Sequence, residues 1–237
     1  MQAKGYHGST AGLYLTACSG LYEQFVLAGL VDRNPFRSPM VAIAGKLREP
    51  KKIPPRIAEH EVRMLLETCN RKTWRGKRDY AALCVLFGAG LRRQELVNLE
   101  MGDIIDGNPM VLRLYFTKSG VLNEQSLPDW AREGVLGWYD FMRENGAGMD
   151  DQFIQMSKTS LHNMFKRRCR QLSLPPDYTL HSTRVTCINQ LIDAGYSDRQ
   201  IADFSRHKDV SQIETYARRQ NVPTKNPGLT LVYGGKA

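Results

Sequence analysis

Apolar positions repeat with a helical period along most of this chain. Residues 8–30 carry Leu13, Leu15, Leu21, Phe25, Val26 and Leu30 at roughly helical spacing, interrupted by Gly and Ser. "DRNPFRSP" breaks the pattern with two prolines. "KLREPKKIPPR" (46–56) adds three more beside a basic cluster, which is the composition of an exposed linker. "IAEHEVRMLLETCN" gives Ile57, Val62, Leu65, Leu66 and Cys69 the spacing of an amphipathic helix. "RDYAALCVLFGAG" is apolar almost throughout and too long for a typical strand. It predicts a buried helix ending at Gly88 or Gly90. "LRRQELVNLE" starts another helix.

The period then changes to two. In "PMVLRLYFTKSGVLNEQSLP", Leu112, Leu114 and Phe116 fall on one face and Val111, Arg113 and Tyr115 on the other. "KSG" breaks the run, so a β-hairpin is expected, with "DIID" as a third strand. Four helical segments follow: "DWAREGVLGWYDFMREN", "SKTSLHNMFKRRCRQL", "STRVTCINQLIDAG" and "SDRQIADFSRH". The second turns Leu161, Phe165, Cys169 and Leu172 inward and contains no acidic residue. The fourth opens with Ser197 and Gln200 at capping-box spacing. A short helix, "SQIETYARR", precedes the tail "QNVPTKNPGLTLVYGGKA". The expected fold class is mainly α with a small antiparallel β-sheet (α+β).

Charge narrows the partners. The 237 residues hold 33 Lys and Arg against 24 Asp and Glu, a net charge of +9 that favours a polyanion, nucleic acid before an acidic membrane surface. The basic side of the second of the four helices, with Lys166, Arg167 and Arg170, suits phosphate-backbone contacts, as do Lys51 and Lys52 in the linker. No apolar run would span a bilayer, and no charged-then-apolar signal pattern opens the chain. Five scattered cysteines without a C-x-x-C read as reduced core thiols of a cytoplasmic protein, so no metal site and no cofactor are expected.

Five features stand in a fixed order: Arg92 in "GLRRQEL", Lys118 in "FTKSG", His181 and Arg184 in "HSTR", His207 in "SRHKDV", and Tyr216 nine residues later in "ETYARR". The order R…K…H-x-x-R…H-x8-Y, with a hairpin between helices, resembles the tyrosine recombinase (phage integrase) family over about residues 56–220. The match to G-L-R-x-x-E-L selects Arg92 over Arg93. Helical spacing agrees, because Arg92, Leu96 and Leu99 would share a face turned towards the core, leaving Arg93 towards solvent or DNA. Glu95, three residues on, can reach and brace Arg92.

The chemistry requires such residues. A phosphodiester repels nucleophiles and has a poor leaving group. Two arginines can clamp its non-bridging oxygens without a metal, because the guanidinium stays charged and its planar fork fits phosphate. The resemblance implies that Tyr216 attacks phosphorus to give a covalent 3′-phosphotyrosine. It implies that Lys118 protonates the leaving 5′ oxygen, and that His181 and His207 hold phosphate oxygens and handle protons. The sequence departs from the family pattern twice. "S-R-H" stands where the family often has L-G-H, placing Arg206 at the glycine, and "VLNEQSLP" lacks the basic residues common on that strand. Ser182 and Thr183 are expected to start a helix, with His181 just before it and Arg184 in its first turn.

The expected organisation is a partial helical core-binding region (1–46), a basic Pro-rich linker (47–55), a catalytic domain (56–220) and a C-terminal tail (221–237). The resemblance implies double-stranded DNA as partner and a homotetramer on two DNA sites, with "LTLVY" of the tail packing on a neighbouring subunit. Two alternatives remain at this point: a type IB topoisomerase-like nicking and resealing enzyme, and a non-catalytic DNA-binding regulator of the same fold.

Overall fold

The computed structural model describes residues 8–37, 54–115 and 122–207. The chain divides into two units, Met1–Ile53 and Pro54–Ala237. In the first, α1 (Gly8–Leu27) is followed by a 3₁₀ turn at Pro35–Arg37. Asn34 ties the turn back to the helix, its amide donating to the Ser19 carbonyl at 2.9 Å and to Glu23 at 2.6 Å. Tyr22 meets Phe25 and Phe36 edge-on. The helix stops three residues short of the expected span, at a left-handed Gly29, and Leu13, Leu21 and Leu30 of its apolar pattern are exposed.

The second unit is built around α3 (Trp74–Gly88), in which Ala81 to Phe87 are all buried. A helix apolar on every side must be surrounded, and α3 is packed by α5 (Asp129–Glu144) and α7 (Leu180–Asp193). Gly134 of α5 allows the closest approach, since a Cβ there would stand 2.5 Å from the Tyr80 ring and 2.8 Å from the Cys84 sulfur. α2 (Glu59–Glu67) buries Val62 and Leu65, and Glu61 caps it by accepting from the Ala58 amide at 2.9 Å. Burial pushes the thiols of Cys84 and Cys187 up to about 12, so they remain protonated and inert.

The hairpin and the third strand are present. β1 (Ile104–Ile105), β2 (Met110–Leu114) and β3 (Asn123–Leu127) form an antiparallel sheet in that order, with Leu112 opposite Gln125. Met110, Leu112 and Leu114 face the core. α6 (Lys158–Gln171) buries Leu161, Phe165 and Cys169 as its pattern predicts. It also buries Arg168, which the pattern does not predict: its guanidinium reaches Asp79 of α3 at 2.6 Å and the Thr68 hydroxyl at 2.8 Å. α8 (Asp198–Ser205) opens with the expected box, Ser197 and Gln200 bonding each other's amides at 3.3 and 3.0 Å. The helix expected at 211–219 and the tail at 221–237 lie outside the described residues, as does the linker up to residue 53.

Candidate active site

α3 ends at Gly88 with Ala89 as its C-cap, and Gly90 turns the chain with φ +57°. A side chain at Gly90 would be strained by that φ and would press on Phe204 at 3.1 Å, so the backbone of α3 and the end of α8 meet there closely. Leu91 is buried, and Arg92 is the extended residue before α4 (Arg93–Val97).

This corrects the helical reading of Arg92. It precedes the helix, and its side chain is 42% exposed rather than turned into the core with Leu96 and Leu99. The helix begins one residue later and ends before Leu99, because the left-handed turn at Gly90 sets its start. Arg93 is exposed.

Glu95 is nearly buried and accepts three bonds. Its Oε1 takes the Arg92 guanidinium at 2.7 Å. Its Oε2 takes the Arg92 amide at 2.7 Å and the Arg206 guanidinium at 2.8 Å. Burial alone would raise the Glu95 carboxyl, but the Arg206 charge and the bonds from Arg92 outweigh it, so its pKa lies below the ordinary value. Arg92 is held at its other end by the Arg206 carbonyl, at 3.0 Å.

The second arginine comes from α7. That helix starts two residues earlier than expected: Thr179 is its N-cap and Ser182 its third residue, whose hydroxyl accepts from the Thr179 amide at 2.9 Å. Ser182 thus serves the cap from inside the helix; His181 lies in the first turn and Arg184, the fifth helical residue, opens the second rather than lying in the first. Arg184 is 1% exposed and donates to the Gly90 carbonyl at 2.8 Å, while His181 is exposed.

His207 follows the left-handed Arg206 that ends α8. Its amide bonds the Ala202 carbonyl at 3.0 Å, and Nδ1 lies 2.8 Å from the Ser205 hydroxyl. Although part of the His181 residue is exposed to solvent, the protein crowding its ring desolvates it, and this, then Arg184 and Arg92, lower its pKa. Burial, then Arg184, Arg92, His181 and Arg206, lower that of His207 to about 4. Both imidazoles are therefore neutral at pH 7 beside two permanent cations, and a bound anion would raise both.

Arg92, His181 and Arg184 line one open cleft of about 440 Å³, together with Arg93, Lys158 and His162. The N-terminal turn of α7 adds the partial positive charge of its helix dipole. Lys158 and His162 were missed in the sequence. Their spacing of four, at the start of a helix with a basic side, is the signal that brings them to one face.

The other basic candidates divide. Arg167 and Arg170 are exposed. The Lys166 ammonium donates to the carbonyls of Pro176 and Tyr178, both at 2.7 Å, and so holds the loop before α7. Lys51, Lys52, Lys118 and Tyr216 lie outside the described residues; Lys118 falls in the segment joining β2 to β3.

A scan against known families matches residues 55–222 to the phage integrase family. The chain belongs to that family. It is 23% identical over 229 residues to the tyrosine recombinase XerC of Bacillus pumilus, covering 90% of this chain and 71% of that one. It is 26% identical over 233 residues to the tyrosine recombinase XerD of Neisseria meningitidis serogroup A, covering 92% and 75%. Among solved structures, the Tn1549 transposon integrase in complex with circular intermediate DNA superimposes with a TM-score of 0.66 at 18% identity, over 93% of this chain and 80% of that one. A lambda integrase dimer bound to a COC′ core site gives 0.64 at 16%, over 91% and 61%. These structures share the integrase catalytic-domain fold with this chain, mostly helical with a three-stranded antiparallel sheet.

Proposed function

We propose that this chain is a site-specific DNA recombinase that cleaves and rejoins DNA through a 3′-phosphotyrosine on Tyr216. The observation that carries the reading is the gathering of Arg92, His181 and Arg184 at one cleft from two distant stretches of sequence, with His207, from a third, near enough to feel the charges of both arginines. Its relatives are named as recombinases, which favours recombination over a nicking enzyme or a silent regulator.

Arg92 and Arg184 hold the non-bridging oxygens of the scissile phosphate and neutralise charge that grows at phosphorus. Glu95 keeps Arg92 aimed. The Tyr216 oxygen attacks phosphorus and the P–O5′ bond breaks, leaving a 3′-phosphotyrosine and a 5′-hydroxyl that takes its proton from Lys118. His181, neutral before DNA binds, is fit to accept the tyrosine proton, and His207 donates to a phosphate oxygen. A partner strand's 5′-hydroxyl then attacks the phosphotyrosine and restores both tyrosine and diester. Arg93, Lys158, Arg167 and Arg170, with Lys51 and Lys52, contact the phosphate backbone.

Residues 1–46 serve as a core-binding region, joined by the basic linker to the catalytic unit. Four copies act on two DNA sites in the cytoplasm. Among the described residues, no helix is long and apolar enough to cross a membrane.

The test uses a pool of nicked duplexes with a randomised core. Cleavage beside the nick releases a short fragment and traps the protein on DNA. A denaturation-resistant adduct, mapped by mass spectrometry to Tyr216, unaffected by EDTA and absent in Tyr216→Phe, is expected. Duplex binding without any adduct would leave the regulator reading instead.

A further inference from the structure

We infer that Arg206 is a positioning residue that locks the Arg92 side of the phosphate clamp and ties it to the β2–β3 hairpin. The inference rests on the function proposed above and names a device within that site.

Arg206 occupies a left-handed position, φ +52°, at the C-cap of α8. Such positions favour glycine, because a Cβ there is strained. This chain places an arginine there and folds its side chain inward, leaving it only 6% exposed. One guanidinium nitrogen donates to Glu95 at 2.8 Å, the carboxylate that also grips Arg92. The other donates to Gln125 of β3 at 2.5 Å and to the Phe204 carbonyl at 2.9 Å. Its own carbonyl accepts from Arg92. It also approaches the Gly90 carbonyl at 3.5 Å, the same oxygen that anchors Arg184.

A single planar fork therefore touches the brace of one clamp arginine, the anchor of the other and the strand that follows the Lys118 segment. The next residue is His207. Lysine could not replace it, since one ammonium cannot reach both Glu95 and Gln125 with a fork's fixed geometry. The arrangement is buried and mutually bonded, so it sets a direction for Arg92 rather than adding a charge to the cleft. The lowered pKa of Glu95, in which Arg206 is the leading stabilising charge, agrees with a carboxylate held ionised for this task.

The experiment compares the parent chain with Arg206→Gly, Glu95→Gln and the double variant. Single-turnover cleavage and binding are measured on the nicked duplex recovered from the pool, with thermal melting as the fold control. Glycine suits the left-handed position, so the turn is retained. Cleavage by Arg206→Gly is expected to slow about 10- to 100-fold with duplex affinity nearly unchanged, as for a misaimed group. The acid limb of its rate–pH profile is expected to move to higher pH, because Glu95 loses a stabilising charge. Removing Arg206 should slow Glu95→Gln by far less than it slows the parent, since most of its effect runs through that carboxylate.

A rate for Arg206→Gly within twofold of the parent, or losses that multiply in the double variant, would overturn the inference while leaving the recombinase reading intact. A parent chain that forms no adduct would remove that reading and this inference with it. If Arg206→Gly does not fold, Arg206→Lys decides: slower cleavage at unchanged affinity supports the fork, and the parent rate refutes it.

Discussion

Among the described residues, two ion pairs have both side chains less than a tenth exposed, and one of them leads to the cleft. Arg168 and Asp79 meet at 2.6 Å with 8% and 2% of their side chains exposed. Arg206 and Glu95 meet at 2.8 Å with 6% and 5% exposed. The chemistry is the same but the connections differ. Asp79 is further met by Arg78 on its own helix, and Arg168 by Thr68 after α2, so that pair clasps α3, α6 and the end of α2. Glu95 passes its second oxygen to Arg92, whose side chain is 42% exposed where it lines the cleft. A buried ion pair does not by itself mark a site. What marks it is a partner that carries the fixed geometry outward to where a phosphate would lie.

The comparison can be broken from either side. Arg168→Ala leaves a buried carboxylate short of its main partner and should cost about 3 kcal/mol or more of stability, read by denaturant unfolding. Cleavage by the folded fraction should remain near the parent rate. If that variant kept its stability and lost cleavage, the division between clasp and site would fail. Glu95→Gln should do the opposite, slowing cleavage on the order of 100-fold through a misaimed Arg92 while shifting the melting temperature less than Arg168→Ala does.

A weaker effect sharpens the site's electrostatics. In the unfolded chain His207 titrates near the ordinary histidine value of 6.5, and in the fold at about 4. Above pH 6.5 both states are neutral and stability is full. As pH falls from 6.5 towards 4 the unfolded chain gains a proton that the folded chain refuses, so stability drops, by about 1 kcal/mol after allowing for solvent screening. His207→Gln should flatten that part of the stability–pH curve. Smallest of all, Arg170→Ala should leave stability and cleavage rate alone and lower the salt slope of DNA binding by about 1.

Much of the scaffold was legible because single periods ruled it. The alternation of Leu112 and Leu114 with Val111 and Arg113 predicted the strand that β2 forms, and the nearly unbroken apolar run of α3 predicted its central helix. The site was legible as residue types in order, but less so as geometry. Arg92 escaped helical arithmetic because the chain turns left-handed at Gly90, so Arg92 is the extended residue before α4. The start of α7 moved because Ser182 bonds backwards to Thr179, which spacing alone does not distinguish from a forward cap. The burial of Arg168 left no local signal in the sequence, because its partner, Asp79, lies 89 residues away. Arg206 was visible only as a departure from a glycine, and its inward fold depends on Glu95 and Gln125, distant in sequence.

The central claim is that Arg92 acts on phosphate charge. The most direct measurement compares cleavage of an ordinary nicked duplex with one whose scissile phosphate is a methylphosphonate, which lacks the negative oxygen. For Arg92→Ala, with folding checked by melting, the account predicts a loss of about 100-fold or more on the phosphodiester and much of that loss removed on the neutral analogue. An equal loss on both substrates would contradict it.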